Sequence, residues 1–330
     1  MVRILDGSTI ASILTVDLAL DAMRRAFALE GAGRAGPADR LDIGHPRGWM
    51  RVLPAAFEGL GVFGLKTISM QSGVGVRYAI FVHDLESGAL RAVVDAEAIT
   101  GARTGATAAV AAEHLCRTDI ERAAVIGTGS VSRSQVPALQ AVRPVEEIRV
   151  FSRNPANRSG FIDEMGDLVD ARLVDCSTVE EAIEGASLVT LATKAPQPVL
   201  GPEHLRPGLH VSSVGAARPN LAELDPDAFD RFDLIVCDSV ELVYEQAGDA
   251  VAAVERGLDP DRSRTLGSVV AGLHPGRTSP EQLTLFKSTG TGLQDLALAA
   301  AILEIADAEN LGVEVGETLT VKRFGATGRT

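Results

Sequence analysis

The sequence predicts an α/β protein, in which a doubly wound parallel sheet is joined to an α+β unit. Three observations predict it. From Ala123 onward short apolar runs, "AAVIG", "EIRVFS", "ARLVD", "ASLVTLAT", "GLHVSSVG" and "DLIVCDS", alternate with helix-like segments, as strands buried on both faces of a parallel sheet do. The first of these runs leads through a glycine-rich turn straight into a helix. The first hundred or so residues read differently, as one amphipathic helix followed by strands that suit an antiparallel sheet.

Taken in order, "TVDLALDAMRRAFALEGAG" is a helix with Thr15 as N-cap and a glycine stop. "WMRVLPAAF", "VFGLKTISM", "RYAIFVHD" and "ALRAVVDA" follow as strands, the last two joined by a hairpin through "LESGAL". A helix through "ARTGATAAVAAEHL" leads into the α/β unit, where "STVEEAIEGA" predicts a helix with Ser177 as N-cap and Glu180 completing a capping box. The last long helix, "GLQDLALAAAILEIADAENLG", stops at Gly312, and the tail is expected to return to the first unit and close it. The expected division is therefore 1–115 with 293–330 for the α+β unit and 116–292 for the α/β unit. No internal repeat or low-complexity linker interrupts it.

At 330 residues the chain can bury a large interior. It contains no uninterrupted apolar stretch of roughly 18 residues, the length a membrane helix needs. Its start lacks the basic, apolar and small-residue layout of a signal peptide, so a cytoplasmic protein with no membrane partner is expected. Cys116, Cys176 and Cys237 are far apart and each sits in an apolar run, which suits buried thiols better than a disulfide framework or a zinc site. A net charge of −13 argues against nucleic acid, because a phosphate backbone needs a basic face.

The glycine-rich turn carries a chemical meaning. "AAVIGTGSVSRSQVPAL" places Gly127-x-Gly129-x-x-Ser132 between strand and helix, so that backbone can approach a pyrophosphate lying on the positive end of the helix dipole. Ser132 is small enough for helix and strand to pack closely. This is the signature of a Rossmann-type NAD(P)-binding unit. About 20 residues beyond the glycines an NAD-specific site carries an Asp or Glu. Ser152 and Arg153 stand there instead, which suits the 2′-phosphate of NADP, with Arg158 as second contact. Arg153 as a solvated loop residue is the other reading.

Arg40, Lys66 and Arg103 lie in the first unit, and Lys66 interrupts an apolar strand, where a lysine must find a partner or a cavity. Together, "GLK" on a strand, "ARTGA" at a helix start, "IGTGSVSRSQ", "LATKAPQPVL", "SSVGAARPNLAELD" and "TLFKSTGTGLQDLALA" resemble the ornithine cyclodeaminase/mu-crystallin family over nearly the whole chain. The resemblance implies a homodimer, with a substrate unit completed by the C-terminal segment and a central unit holding NAD(H) or NADP(H). It implies that Arg40, Lys66 and Arg103 bind the α-carboxylate of an amino or imino acid, with Met50, Gly215 and Ala216 beside the pocket. It further implies a role for Asp295 alongside Lys66 in catalysis or in orienting the site. The cofactor surface it implies comprises Thr104, Gly127, Gly129, Ser130, Val131, Ser132, Ser152, Arg153, Asn154, Ala192, Thr193, Val214, Lys287, Ser288 and Gly290, with Lys287, Ser288 and Thr289 near the nicotinamide amide.

Cyclodeaminases of that family have an aspartate two residues beyond the strand glycine. Here Gly215 is followed by Ala216 and Ala217, in the mu-crystallin-like form "GAARP" that goes with reduction of cyclic ketimines. An alanine cannot accept a proton. The implied activity is NAD(P)H-dependent reduction of an imino acid, with a cyclic ketimine such as Δ1-pyrroline-2-carboxylate or Δ1-piperideine-2-carboxylate foremost. An amino-acid dehydrogenase or iminosuccinate-type reductase, ornithine cyclodeamination and a non-catalytic binding role follow in that order. His83 and His274 read as structural or solvated.

Overall fold

The computed structural model describes residues 1–316 of the chain. In chain order it begins with β1 (Val2–Leu5), α1 (Gly7–Ile13) and α2 (Val16–Gly31), then β2 (Ala35–Pro37), β3 (Leu41–His45), β4 (Gly48–Phe57), β5 (Val62–Gln71), β6 (Gly75–Asp84) and β7 (Leu90–Asp95). The helix α3 (Glu97–Leu115) leads to β8 (Arg122–Ile126), α4 (Ser130–Val142), β9 (Glu147–Phe151), α5 (Pro155–Gly166), β10 (Arg172–Asp175), α6 (Val179–Ile183), β11 (Leu188–Leu191) and β12 (His210–Ser213). After these come β13 (Leu234–Cys237), α7 (Val240–Gln246), α8 (Gly248–Glu255), β14 (Arg264–Thr265), α9 (Leu266–Val270), β15 (Thr284–Lys287), α10 (Gly292–Glu309) and β16 (Val313–Val315).

Two sheets result. The second is parallel throughout, in the order β10-β9-β8-β11-β12-β15-β13-β14. The chain reverses direction across the sheet between β8 and β11, and a crevice opens beyond the strand ends at such a switch point. The β15 run was not among the predicted strands, yet it lies between β12 and β13. "TLFK" is too short and too polar to announce itself, and its partners are about fifty or more residues away in sequence.

The first sheet runs β16-β1-β7-β6-β5-β4-β2, with β3 also paired to β4. It is not purely antiparallel as expected, because β1 pairs parallel with β7. The tail does return, since β16 pairs antiparallel with β1. Thr15 caps α2 as predicted, accepting from the amide of Leu18 at 3.1 Å. Two other helix ends are shifted. Thr178, not Ser177, caps α6, and Glu181, not Glu180, reaches back to the Ser177 amide at 2.7 Å. The Thr-x-x-Glu spacing caps the helix one residue later, Thr178 Oγ1 accepting from the Glu181 amide at 3.1 Å. α10 stops at Asn310, which takes the left-handed conformation at φ 54°, two residues before Gly312.

One core joins the two sheets. Phe27, Phe57, Ile80 and Val82 from the first unit share a continuous apolar cluster with Val236 and Phe286 of the second sheet, through α3 and α10. α10 approaches β4 so closely that a Cβ on Gly292 would lie 2.5 Å from the Leu53 carbonyl oxygen. That helix therefore delivers its first-turn side chains onto β5. Among the described residues no helix is long and apolar enough to cross a membrane, and all three cysteines are buried and unpaired.

Candidate active site

Lys66 points from β5 into the interior and is fully buried. Its Nζ donates to Asp295 Oδ1 at 2.8 Å and to Thr100 Oγ1 at 2.7 Å, and lies 5.3 Å from the centre of the Tyr78 ring. Asp295, in the first turn of α10, accepts on the same oxygen from Arg103 Nε at 3.0 Å. Its Oδ2 is buried with no partner among the described residues. Burial pulls the Lys66 ammonium down to a pKa of about 8, aided by Arg103 and opposed by Asp295. One arginine, Arg103, and one carboxylate, Asp295, are thus the charges that act on this lysine.

Arg40, between β2 and β3, presents Nε and both Nη atoms buried and without a partner among the described residues. Burial, then the neighbouring Arg51, pull its pKa down to about 10. A guanidinium left unpaired out of water is costly, and such a group suits an anionic ligand. Arg40 also feels Asp238, Asp42 and Arg218, which places it over the ends of the parallel strands. Met50 does not join this group. Leu53 is paired with Lys66 across the β4–β5 ladder, and Met50, three residues away, is turned by the pleat to the opposite face.

Beneath the cleft lies a buried polar frame that sequence reasoning missed. Glu223 accepts from the amide and hydroxyl of Thr193 at 2.6 and 3.0 Å, from Ser213 Oγ at 2.7 Å, and from the amides of Gly215 and Ala216 at 2.9 and 3.3 Å. This one carboxylate ties the end of β11 to the turn after β12. A Cβ on Gly215 would lie 2.2 Å from the Thr193 carbonyl oxygen, so the turn admits only glycine there. Val214 and Ala216 are buried, and no acid stands at Ala217.

Lys287 is not presented to a cofactor. Its ammonium is fully buried, 2.7 Å from both Asp249 Oδ2 and Ser213 Oγ, and Asp249 in turn accepts from the amides of Glu223 and Leu224. Ser288 likewise turns inward, donating to Asp238 at 2.7 Å, and the amides of Thr289 and Gly290 donate to the same carboxylate. The sequence signal for Asp238 was an acid closing the apolar strand "LIVCDS". Thr193 is occupied by Glu223, while Thr104 donates its hydroxyl to the Thr100 carbonyl at 2.7 Å.

The glycine turn fits a dinucleotide by its own geometry. Gly127 has φ 108°, and a Cβ there would meet the Ala192 carbonyl oxygen at 2.5 Å, so only glycine serves. Around Gly129 the space is open, with nothing within 4 Å of where a Cβ would be. Packing does not explain that glycine, and the open space would let a ligand approach the backbone closely. Gly129 is the N-cap of α4 and provides no side-chain cap, leaving the first amides of Ser130, Val131 and Ser132 for an anion. Ser132 is fully buried. A cleft of about 580 Å³ runs past Ser130 and Val131 to Lys194, Thr100 and Tyr78.

At the end of β9, Ser152 Oγ accepts from Thr128 Oγ1 at 3.1 Å, and Arg153 is exposed and forms no ion pair among the described residues. Arg158 is not available as the second contact that was expected. Its guanidinium is held by Asp175 and by the Ser152 carbonyl at 2.8 Å. Asn154 spends its side chain capping α5. His83 stacks on Phe63 with ring centres 5.0 Å apart, and His274 sits by Arg264, away from this cleft.

The same overall fold recurs in known proteins. An alanine dehydrogenase of Archaeoglobus fulgidus is 30% identical over 94% of this chain and 97% of its own length. The structure of Thermococcus litoralis Δ1-pyrroline-2-carboxylate reductase, in complex with NADH and L-proline, superposes with a TM-score of 0.89 at 29% identity, covering 95% of this chain and 100% of that one. The iminosuccinate reductase of Paracoccus denitrificans, in complex with NAD+, gives 0.86 at 26% identity, over 95% and 99%. A family model matches residues 3–310, taking in the buried lysine, the glycine turn and the closing helix alike, and by that match the chain belongs to the ornithine cyclodeaminase/mu-crystallin family.

Proposed function

We propose that this chain is an NAD(P)H-dependent oxidoreductase acting on C–N bonds, a reductase of an α-imino acid, with cyclic ketimine carboxylates such as Δ1-pyrroline-2-carboxylate or Δ1-piperideine-2-carboxylate as the foremost substrates. The observation that carries the reading is the buried pair of Lys66 and Arg103 on Asp295, with the Arg40 guanidinium unpartnered among the described residues, in a chain that has Ala217 where a cyclodeaminase of the family has an acid. Reduced nicotinamide, held on the Gly127–Ser132 turn, would supply the hydride to the imine carbon. What the chain must do is hold the α-carboxylate, exclude water and keep a proton at hand. Arg40 and Arg103 do the first. Lys66 Nζ, balanced near neutrality, does the last at the face where the nitrogen would lie.

An acyclic imino acid with a second carboxylate is the neighbouring reading. Arg218 favours it, because its guanidinium stacks 4.9 Å from the Trp49 ring at the mouth and adds another cation near Arg40. The test is consumption of NADPH and NADH with a panel of cyclic and acyclic imino acids, set against ammonia release from ornithine. Ketimine-dependent oxidation with little ammonia is expected. Robust ammonia and proline from ornithine would overturn the reading. The preference for NADP is part of the proposal and rests on Ser152 and Arg153. It predicts a higher kcat/KM with NADPH that Arg153→Ala removes, and a native preference for NADH untouched by that change would refute it.

A further inference from the structure

Arg103 donates from Nη1 to Gln294 Oε1, and Gln294 Nε2 donates at 3.0 Å to Asp238 Oδ2. All three side chains are buried. The order matters. An arginine only donates and a carboxylate only accepts, so the amide between them has one workable orientation, oxygen toward Arg103 and nitrogen toward Asp238. Asp238 is itself fixed at the end of β13 by four further donors, the amides of Ser239, Thr289 and Gly290 and the hydroxyl of Ser288. A strand end in the parallel sheet thus sets the direction of a guanidinium that belongs to the other unit of the molecule.

We infer that Asp238 and Gln294 are positioning residues, a polarised bridge that aims Arg103 at the substrate carboxylate and makes grip on the substrate depend on the seating of α10 against the parallel sheet. The inference rests on the proposed role of Arg103. Two features support it beyond the chain of bonds. Arg103 needs such a guide, because Asp295 engages only its Nε and would let the outer nitrogens swing. Gly290, at φ 79°, lies so close that a Cβ would approach Arg103 Nη1 to 2.8 Å, so the turn that Asp238 pins also walls in the guanidinium.

The experiment compares steady-state kinetics of four variants with a cyclic ketimine acid. Gln294→Met keeps the shape and removes both bonds. It should raise KM about tenfold, which corresponds to about 1.4 kcal/mol, while kcat falls less and the Kd for NADPH stays unchanged. Asp238→Asn should raise KM as well, since an amide at 238 presents a donor to the Gln294 nitrogen. Gln294→Glu added to Asp238→Asn rebuilds the sequence of donor to acceptor, and should recover part of the lost KM, which general loosening of the fold would not permit. Arg103→Ala separates the two claims. If it leaves KM unaltered, the carboxylate reading fails; if it raises KM while Gln294→Met does not, the bridge is refuted. Should Gln294→Met fail to fold, the rescue within the Asp238→Asn pair decides alone, and absence of rescue counts against the bridge.

Discussion

At the scale of single residues, the clearest consequence of the site is a titration. Lys66 has its pKa lowered to about 8 because burial penalises the charged form more than Asp295 rewards it. If the ammonium is the working form, activity is full below that value and is lost as pH rises through it, giving kcat/KM an alkaline limb near pH 8. Lys66→Arg keeps the charge without a titratable proton and should move that limb upward, while Lys66→Ala should cost several kcal/mol of transition-state stabilisation. An unmoved limb in Lys66→Arg would assign the titration to the substrate iminium. Lys66 was legible in the sequence because a lysine inside "VFGLKTISM" breaks an apolar strand. Asp295, 229 residues away, was legible only as part of a family-like stretch, since no local pattern announces a partner at that distance. Glu30 was not legible at all. On α2 it reads as an ordinary helix-surface acid, yet burial and then Asp238 and Glu241 push it up to about 8, and its Oε2 has no partner. The folded pKa is above the unfolded one, so the native state gains stability relative to its ionised form below about pH 4.5 and loses it as pH rises toward 8. Glu30→Gln should flatten that decline and raise stability by roughly 2 kcal/mol at pH 8, measured by urea unfolding across pH 5 to 8.

At the scale of elements, the reading succeeded where a rule is local and failed where it is not. Thr15, the hairpin at "LESGAL" and the turn at Gly127 each depend on side chains or φ angles within a few residues. β15 depends on being chosen by β12 and β13 as the filling of the sheet, which no window around "TLFK" records. The interior frame of Glu223, Asp238 and Asp249 was missed for a related reason: an acid in a loop, at a strand end or in the first turn of a helix is read as solvated until the distant amides that surround it are known. The glycine turn gives a test at this scale. Gly129→Val would add a side chain where nothing lies within 4 Å, so the melting temperature should hold within a few degrees while the Kd for NAD(P)H rises at least tenfold. Gly127→Val, at positive φ and 2.5 Å from a carbonyl oxygen, should instead damage the fold itself. Equal loss of stability in both variants would mean that the open space at Gly129 is not a cradle.

At the scale of the whole molecule, the two units could be read from the sequence but their union could not. Alternating runs and a glycine turn identify each half, whereas the shared core of Phe27, Phe57, Val236 and Phe286 arises only when α3 and α10 lie between the sheets. One large surface remains unexplained by that union. The face of the first sheet opposite Lys66 carries Met50, Val52, Phe63, Leu65, Phe81 and Val93, which alternate with the buried positions Leu53, Val62, Ile80, Val82 and Val94 and are left half-buried. No helix of the described chain covers this face, while α10 packs on the other. An apolar sheet face of that extent suits an interface, and a second copy is the partner the resemblance implies. In such a dimer Met50 would lie at the junction of subunits rather than beside Lys66. The prediction is that light scattering gives about twice the 34.5 kDa chain mass at micromolar concentration. Leu65→Asp, paired between Pro54 and Phe81 in the middle of that face, should shift the protein toward monomer without disturbing the buried side of the sheet. Because β5 carries both Leu65 and Lys66 on opposite faces, dissociation should also loosen the strand that holds the Lys66 ammonium, and activity should fall with the dimer fraction on dilution. A fully active monomer of the unaltered chain would refute both the interface and its link to the site.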